Sequence, residues 1–159
     1  MSQKLKYLVI HCSATPEGRE YTSDDIRKMH CSPPPSGRGW KQVGYSDMIH
    51  LDGKIENLVP YNGDDIVQPR EITNGAIGLN GVSRHVMYVG GVDKNMKPKD
   101  TRTTEQWVSL QDYVLTTIKC YPEIIVLGHN QVASKACPSF HVPTWLKSIG
   151  VNDKNIFKK

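Results

Sequence analysis

Two short apolar runs, residues 7–10 (YLVI) and 124–127 (IIVL), constrain this chain more than any other feature. Rich in β-branched residues, they read as strands that need cover on both faces, as in the middle of a helix-covered sheet. Each run leads into a histidine: His11 follows the first directly, and His129 follows the second after one glycine. In open α/β sheets ligands collect at the carboxyl ends of the strands. The two histidines therefore stand where such a fold puts its site, provided that their strands are parallel near neighbours.

The remaining elements fit that frame. Residues 45–51 and 54–59 flank Asp52-Gly53 and read as a hairpin, and residues 86–89, stopped by Gly90-Gly91, read as a further strand. Helix starts are written as Thr22-x-x-Asp25 and Thr103-x-x-Gln106. The second helix shows Trp107, Leu110, Val114 and Ile118 on one face and ends before Pro122. A last short helix over 143–149 is capped by Gly150. Alternating strands and helices imply an α/β fold: a single domain with a central mixed β-sheet covered by helices and a ligand site at the carboxyl ends of the strands, which becomes a zinc site if suitable donors meet there. The 159 residues make one domain over 1–159, with a core of about 5–150 and a C-terminal tail at 151–159.

Composition removes other classes. Twenty basic and sixteen acidic residues give a net charge of +4 spread along the chain, without the dense Lys/Arg block of a nucleic-acid-binding arm. No stretch approaches the roughly eighteen apolar residues of a membrane span. The apolar run before His11 is too short for a signal-peptide core and lacks a small-residue cleavage site, so the expectation is cytoplasmic synthesis without a signal peptide. Cys12, Cys31, Cys120 and Cys137 form no CxxC pair. A reducing compartment would leave them as thiols, one of which is then available as a ligand.

Cys137 is the candidate. It follows His129 across residues 130–136, a loop long enough to turn back over the strand end. Two imidazoles and a thiolate suit zinc, and three protein ligands leave a fourth position open, as catalytic sites require. Cys12 should face away from His11 and reads as a small buried hydrophobe. Cys31 and Cys120 sit at helix ends without a histidine at ligand spacing. His30, His50, His85 and His141 lack the strand-end pairing and read as surface or structural residues, with His141 a spare ligand in reserve. Lys135 is either a solvated lysine or a cation beside the sulfur that stabilises an oxyanion. Tyr45 is either a half-buried strand aromatic or a hydroxyl that positions water.

Four segments carry a resemblance: YLVIHCSAT (7–15), GWKQVGYSDMIHLDGKI (39–55), YVGGVD (88–93) and GHNQVASKACPSF (128–140). In this order they resemble the zinc-dependent N-acetylmuramoyl-L-alanine amidase type 2 family, which includes phage amidase endolysins and peptidoglycan recognition proteins. The resemblance implies Zn²⁺ on His11, His129 and Cys137, with Tyr45 and Lys135 as catalytic residues. It implies hydrolysis of the amide joining the lactyl group of N-acetylmuramic acid to L-alanine in bacterial peptidoglycan. The implied enzyme is a monomer without nucleic-acid or membrane partners, acting on the cell wall after release or delivery. Three departures stand out. Gly75-Ala76-Ile77 replaces a Gly-Ala-His stretch that touches substrate in many members, His141 stands where relatives often have Asp, and loops at 32–38 and 62–73 reshape the groove. The alternative reading is a non-catalytic domain of the same fold that binds wall fragments or another protein. Members that lose the cysteine only bind, so Cys137 favours the enzyme. A nucleic-acid-binding zinc protein is the weakest reading, because paired Cys/His knuckles are missing.

Overall fold

The computed structural model describes residues 2–158; the expected domain's outermost positions, 1 and 159, lie outside the described residues. In chain order the strands are β1 (Gln3–Lys4), β2 (Tyr7–Cys12), β3 (Thr15–Pro16), β4 (Asp47–Ile49), β5 (Ile55–Asn57), β6 (Ile66–Val67), β7 (Ser83–Tyr88), β8 (Gly91–Val92) and β9 (Ile125–Gly128). The helices are α1 (Ser23–Cys31), α2 (Thr104–Cys120) and α3 (Val142–Ser148). Five strands form the central sheet in the order β5-β4-β7-β2-β9. The four from β4 to β9 run parallel and β5 is antiparallel at the edge, so the sheet is mixed and the fold α/β.

Both apolar runs lie side by side in this sheet, which meets the condition set by the two histidines. Alternation along β2 sends Leu8, Ile10 and Cys12 into a cluster with Leu110 and Val114 of α2 and Trp145 and Leu146 of α3. Met87 and Val89 point the other way, into a second cluster with Ile26 of α1. Each fully buried Leu or Ile in these layers contributes about 1.5–3 kcal/mol. Among the described residues no helix is long and apolar enough to cross a membrane.

The helix caps form as their sequences require. Thr22 Oγ1 accepts the Asp25 N–H at 3.1 Å while the Asp25 carboxylate accepts the Thr22 N–H at 2.9 Å, and Thr103 and Gln106 make the same reciprocal pair. The buried face of α2 differs from the expected one. Gln106, Leu110, Val114 and Thr117 point inward, and Trp107 is 40% exposed. Gln106 takes the inner position because its Nε2 donates to Val89 O and shares Ile49 O, which also accepts the Val89 N–H. Trp107 instead covers the Arg102 guanidinium, 3.7 Å from its ring.

Four more expectations are refined. The hairpin ladder is only three residues per strand, because Ser46 O already accepts the Leu58 and Val59 N–H groups and closes it. Residues 62–73 are not a bare loop: β6 pairs with β1, and the buried Glu71 carboxylate accepts the Asn62 and Gln68 N–H groups. His141 caps α3 through Nδ1, which accepts the Thr144 N–H at 3.3 Å, and it stands outside the group of converging donors His11, His129 and Cys137. Beyond Gly150, whose φ is +84°, the segment set apart as a tail packs along β9. There Val151, Asn155 and Ile156 are buried and the Phe157 N–H donates to Val126 O.

His50, at the carboxyl end of β4, bridges two carboxylates: Nδ1 lies 3.0 Å from Glu20 and Nε2 lies 2.9 Å from Glu56. Burial pulls its pKa down, but the hydrogen bonds to Glu56 and Glu20 outweigh burial and the net shift is upward. Stability from His50 is therefore fully present below about pH 6.5 and is lost as pH rises through the raised folded value. Glu56, held low by the same hydrogen bond, adds stability above about pH 4.3 that is lost on acidification. The clasp is strongest between these limits. From about pH 6 to about pH 8.5 the melting temperature should fall further in the parent than in His50→Gln, and parallel curves would contradict the clasp.

Candidate metal centre

Strand register builds the centre. Ile10 pairs with Gly128, so the next residues, His11 still within β2 and His129 just past the end of β9, stand as neighbours with ring centroids 4.8 Å apart. Gly128 admits no side chain here: a Cβ would come within 2.7 Å of Asn130 Oδ1 and Val142 Cγ2. After His129 the chain turns back. The Asn130 N–H donates to Cys137 O at 2.7 Å, and its side-chain amide donates to Ala136 O and Phe140 O. Tyr88 Oη donates to Pro138 O at 2.6 Å and the Cys12 N–H points at Cys137 Sγ at 3.2 Å, so the returning loop is fastened to both β7 and β2.

The result places the nitrogen and sulfur donors of His11, His129 and Cys137 within 4.8 Å of one another. His11 Nδ1 is 3.7 Å from Cys137 Sγ. Zinc bond lengths at a tetrahedral angle give about 3.6 Å for such a pair, so the spacing fits this ion. The electrostatics fit as well. Burial, followed by the neighbouring His85, His129, His30 and Lys135, holds His11 well below the usual imidazole range, and burial followed by Lys135 lowers His129. Neutral imidazoles present the lone pairs a metal needs. Without a metal, the hydrogen-bonded Cys12 thiol and burial push the Cys137 thiol up, opposed by the Cys12 N–H and Lys135.

The three donors floor a cavity of about 180 Å³ whose walls include Tyr45, Lys135 and Trp40. Tyr45 Oη donates to Cys12 O at 3.4 Å, and its ring sits 5.1 Å from that of His11. Burial, then the Cys137 and Cys12 thiols, raises its pKa far above the normal phenol value, so it remains a proton donor. Lys135 is exposed on the returning loop. All five residues singled out in the sequence thus meet in one groove. Cys12 is buried in the cluster under α2 and α3, as its alternation requires, yet both its backbone N–H and its thiol meet the Cys137 sulfur.

Two histidines read as surface or structural belong to the surroundings of this site. His30 Nδ1 accepts the Gly44 N–H at 2.9 Å and its ring lies 5.1 Å from Tyr45, which fixes the segment carrying the phenol. Burial, followed by Arg38, brings its pKa down to about 4. His85 is completely buried with Nδ1 2.8 Å from His11 Nε2, and burial followed by His129 lowers it to about 3. The signal available for His85 was an imidazole at an inward position of the apolar strand SRHVMY.

No family model matches the chain. The endolysin of Enterobacteria phage K11 is 31% identical over 146 residues, which cover 92% of this chain and 88% of that protein. The endolysin of Escherichia phage T7 is 33% identical over 138 residues, covering 87% and 83%. Among solved structures, the N-acetylmuramoyl-L-alanine amidase LysC from Clostridium intestinale shares the fold with a TM-score of 0.69 at 20% identity, over 94% of this chain and 87% of that one. With this fold, and with such identity over nearly the whole length of its relatives, the chain belongs to the N-acetylmuramoyl-L-alanine amidase type 2 family, alongside the phage endolysins.

Proposed function

We propose that the protein is a zinc-dependent amidase that hydrolyses the bond between the lactyl group of N-acetylmuramic acid and L-alanine in bacterial peptidoglycan. The observation that carries this reading is the convergence of the His11, His129 and Cys137 donor atoms within 4.8 Å on the floor of a groove. His11, His129 and Cys137 would hold the zinc. When bound, it supplies a Lewis acid that polarises a carbonyl and lowers the pKa of water to about 7.

The other side chains have distinct tasks. Lys135, charged and free to lean over the groove from its exposed loop, binds the amide oxygen and holds the negative charge that grows there as the carbonyl becomes tetrahedral. Tyr45 keeps its proton and donates from Oη to an oxygen of the reacting group, exchanging its long bond to Cys12 O for a shorter one. Trp40 offers an aromatic wall on which the substrate can lie. A binding-only domain would need the groove but no sulfur at its floor.

Digestion of purified peptidoglycan followed by mass analysis of the released ends tests the bond. The amidase reading predicts free L-alanine amino ends and intact glycan strands that carry a lactyl carboxylate. New reducing sugar ends, cuts within the stem peptide, or tight binding without any cleavage would each refute it.

A further inference from the structure

A line of hydrogen bonds leaves the metal centre through two residues outside the ligand set. His11 Nε2 lies 2.8 Å from His85 Nδ1, and His85 Nε2 lies 3.1 Å from Asn80 Oδ1. Asn80 Oδ1 also accepts the Ala76 N–H at 2.9 Å. The proton arrangement follows from the far end. A backbone N–H can only donate, so the Asn80 atom that meets Ala76 is the carbonyl oxygen. That oxygen can only accept, so His85 Nε2 carries the hydrogen. His85 has no exposed surface and no carboxylate bonded to it, and so stays a neutral imidazole with a bare Nδ1. His11 Nε2–H then donates to it, leaving the Nδ1 lone pair on the side where Cys137 Sγ stands 3.7 Å away.

We propose that Asn80 and His85 are positioning residues that set the tautomer and ring orientation of His11, so that Nδ1 is its metal donor. Partners of this kind behind a ligating histidine commonly change metal affinity tenfold to a hundredfold. The surroundings are shaped for it. Gly75 lies flat against the His85 ring, and a Cβ there would overlap Nδ1 and Cγ, so the missing side chain at 75 and the imidazole at 85 form a matched pair. The segment 75–80, where the chain departs from the Gly-Ala-His pattern, thereby turns its Asn80 inward towards a ligand.

This inference rests on the metal reading of the site, and two measurements separate their failures. The first is zinc affinity by competition with a chromophoric chelator; the second is the long-range ¹H–¹⁵N spectrum of the metal-free protein. His85→Leu and Asn80→Ala should each weaken zinc by about 10–100-fold, whereas Asn80→Asp, which keeps an acceptor, should stay within about threefold of the parent. If His85→Leu fails to fold, Asn80→Ala carries the affinity test. The metal-free spectrum should show both His11 and His85 protonated at Nε2, a signature that packing alone would not dictate. Zinc binding within about twofold of the parent in Asn80→Ala, or His11 protonated at Nδ1, would overturn the positioning role. A parent chain that binds no zinc would overturn the metal reading, and the spectrum would still decide the relay, with Nε2–H on His11 supporting it and Nδ1–H sinking it.

Discussion

Replacing Cys137 by Ser should remove the zinc, and with it wall lysis, if the proposed centre is right. A serine hydroxyl remains protonated near neutral pH and lacks the soft, anionic character of the thiolate, so the centre keeps only the two imidazoles. Because such a metal supplies several kcal/mol of transition-state stabilisation, turnover should drop by on the order of 10³-fold or more. The fold should survive. The loop is held by Tyr88 on Pro138 and by Asn130 on the Cys137, Ala136 and Phe140 carbonyls, none of which involves the sulfur. Elemental analysis, circular dichroism and a turbidity assay on one preparation check all three statements. Near-stoichiometric zinc with parental turnover in Cys137→Ser would contradict the ligand assignment.

Lys135→Ala should separate metal binding from catalysis. The side chain is exposed, so its loss should change stability by no more than about 0.5 kcal/mol. It also donates no bond to a ligand, so zinc content should stay at the parental level. Turnover should nevertheless drop about 10²–10³-fold, the usual effect of deleting one donor to an oxyanion. The loss should appear in kcat rather than KM, because the charge it meets develops only as the amide carbon becomes tetrahedral. Unchanged kcat would return Lys135 to the solvated surface residue that its exposure also allows.

These effects trace back to features that were readable in the chain to different degrees. The candidate donor triad was legible because β-branched runs announce buried strands and His11 and His129 stand at their ends, with Cys137 one loop away. Their adjacency was not, since no local pattern says that β2 lies between β7 and β9; register brings the two rings together through long-range pairing. Periodicity placed Leu110 and Val114 on the inner face of α2 but set the ends of that face one residue late, because it ranks Trp107 above Gln106 and Ile118 above Thr117. It has no way to know that Val89 O, at the end of the sheet, takes a side-chain donor. His85 and His30 were passed over for a related reason. A buried histidine within an element looks structural until its partners are seen, and these come partly from other segments: His11, 74 residues away, together with the nearby Asn80 for His85, and Gly44 for His30. Loop 62–73 hid a strand because β6 is two residues long and gains its partner only from the amino-terminal β1.

Zinc K-edge X-ray absorption on the purified, zinc-loaded protein tests the central claim most directly. The account predicts two nitrogen scatterers at about 2.0–2.1 Å, one sulfur at about 2.3 Å and one further light atom from outside the protein. A shell without sulfur, or one made of four protein donors, would contradict an open centre built from His11, His129 and Cys137.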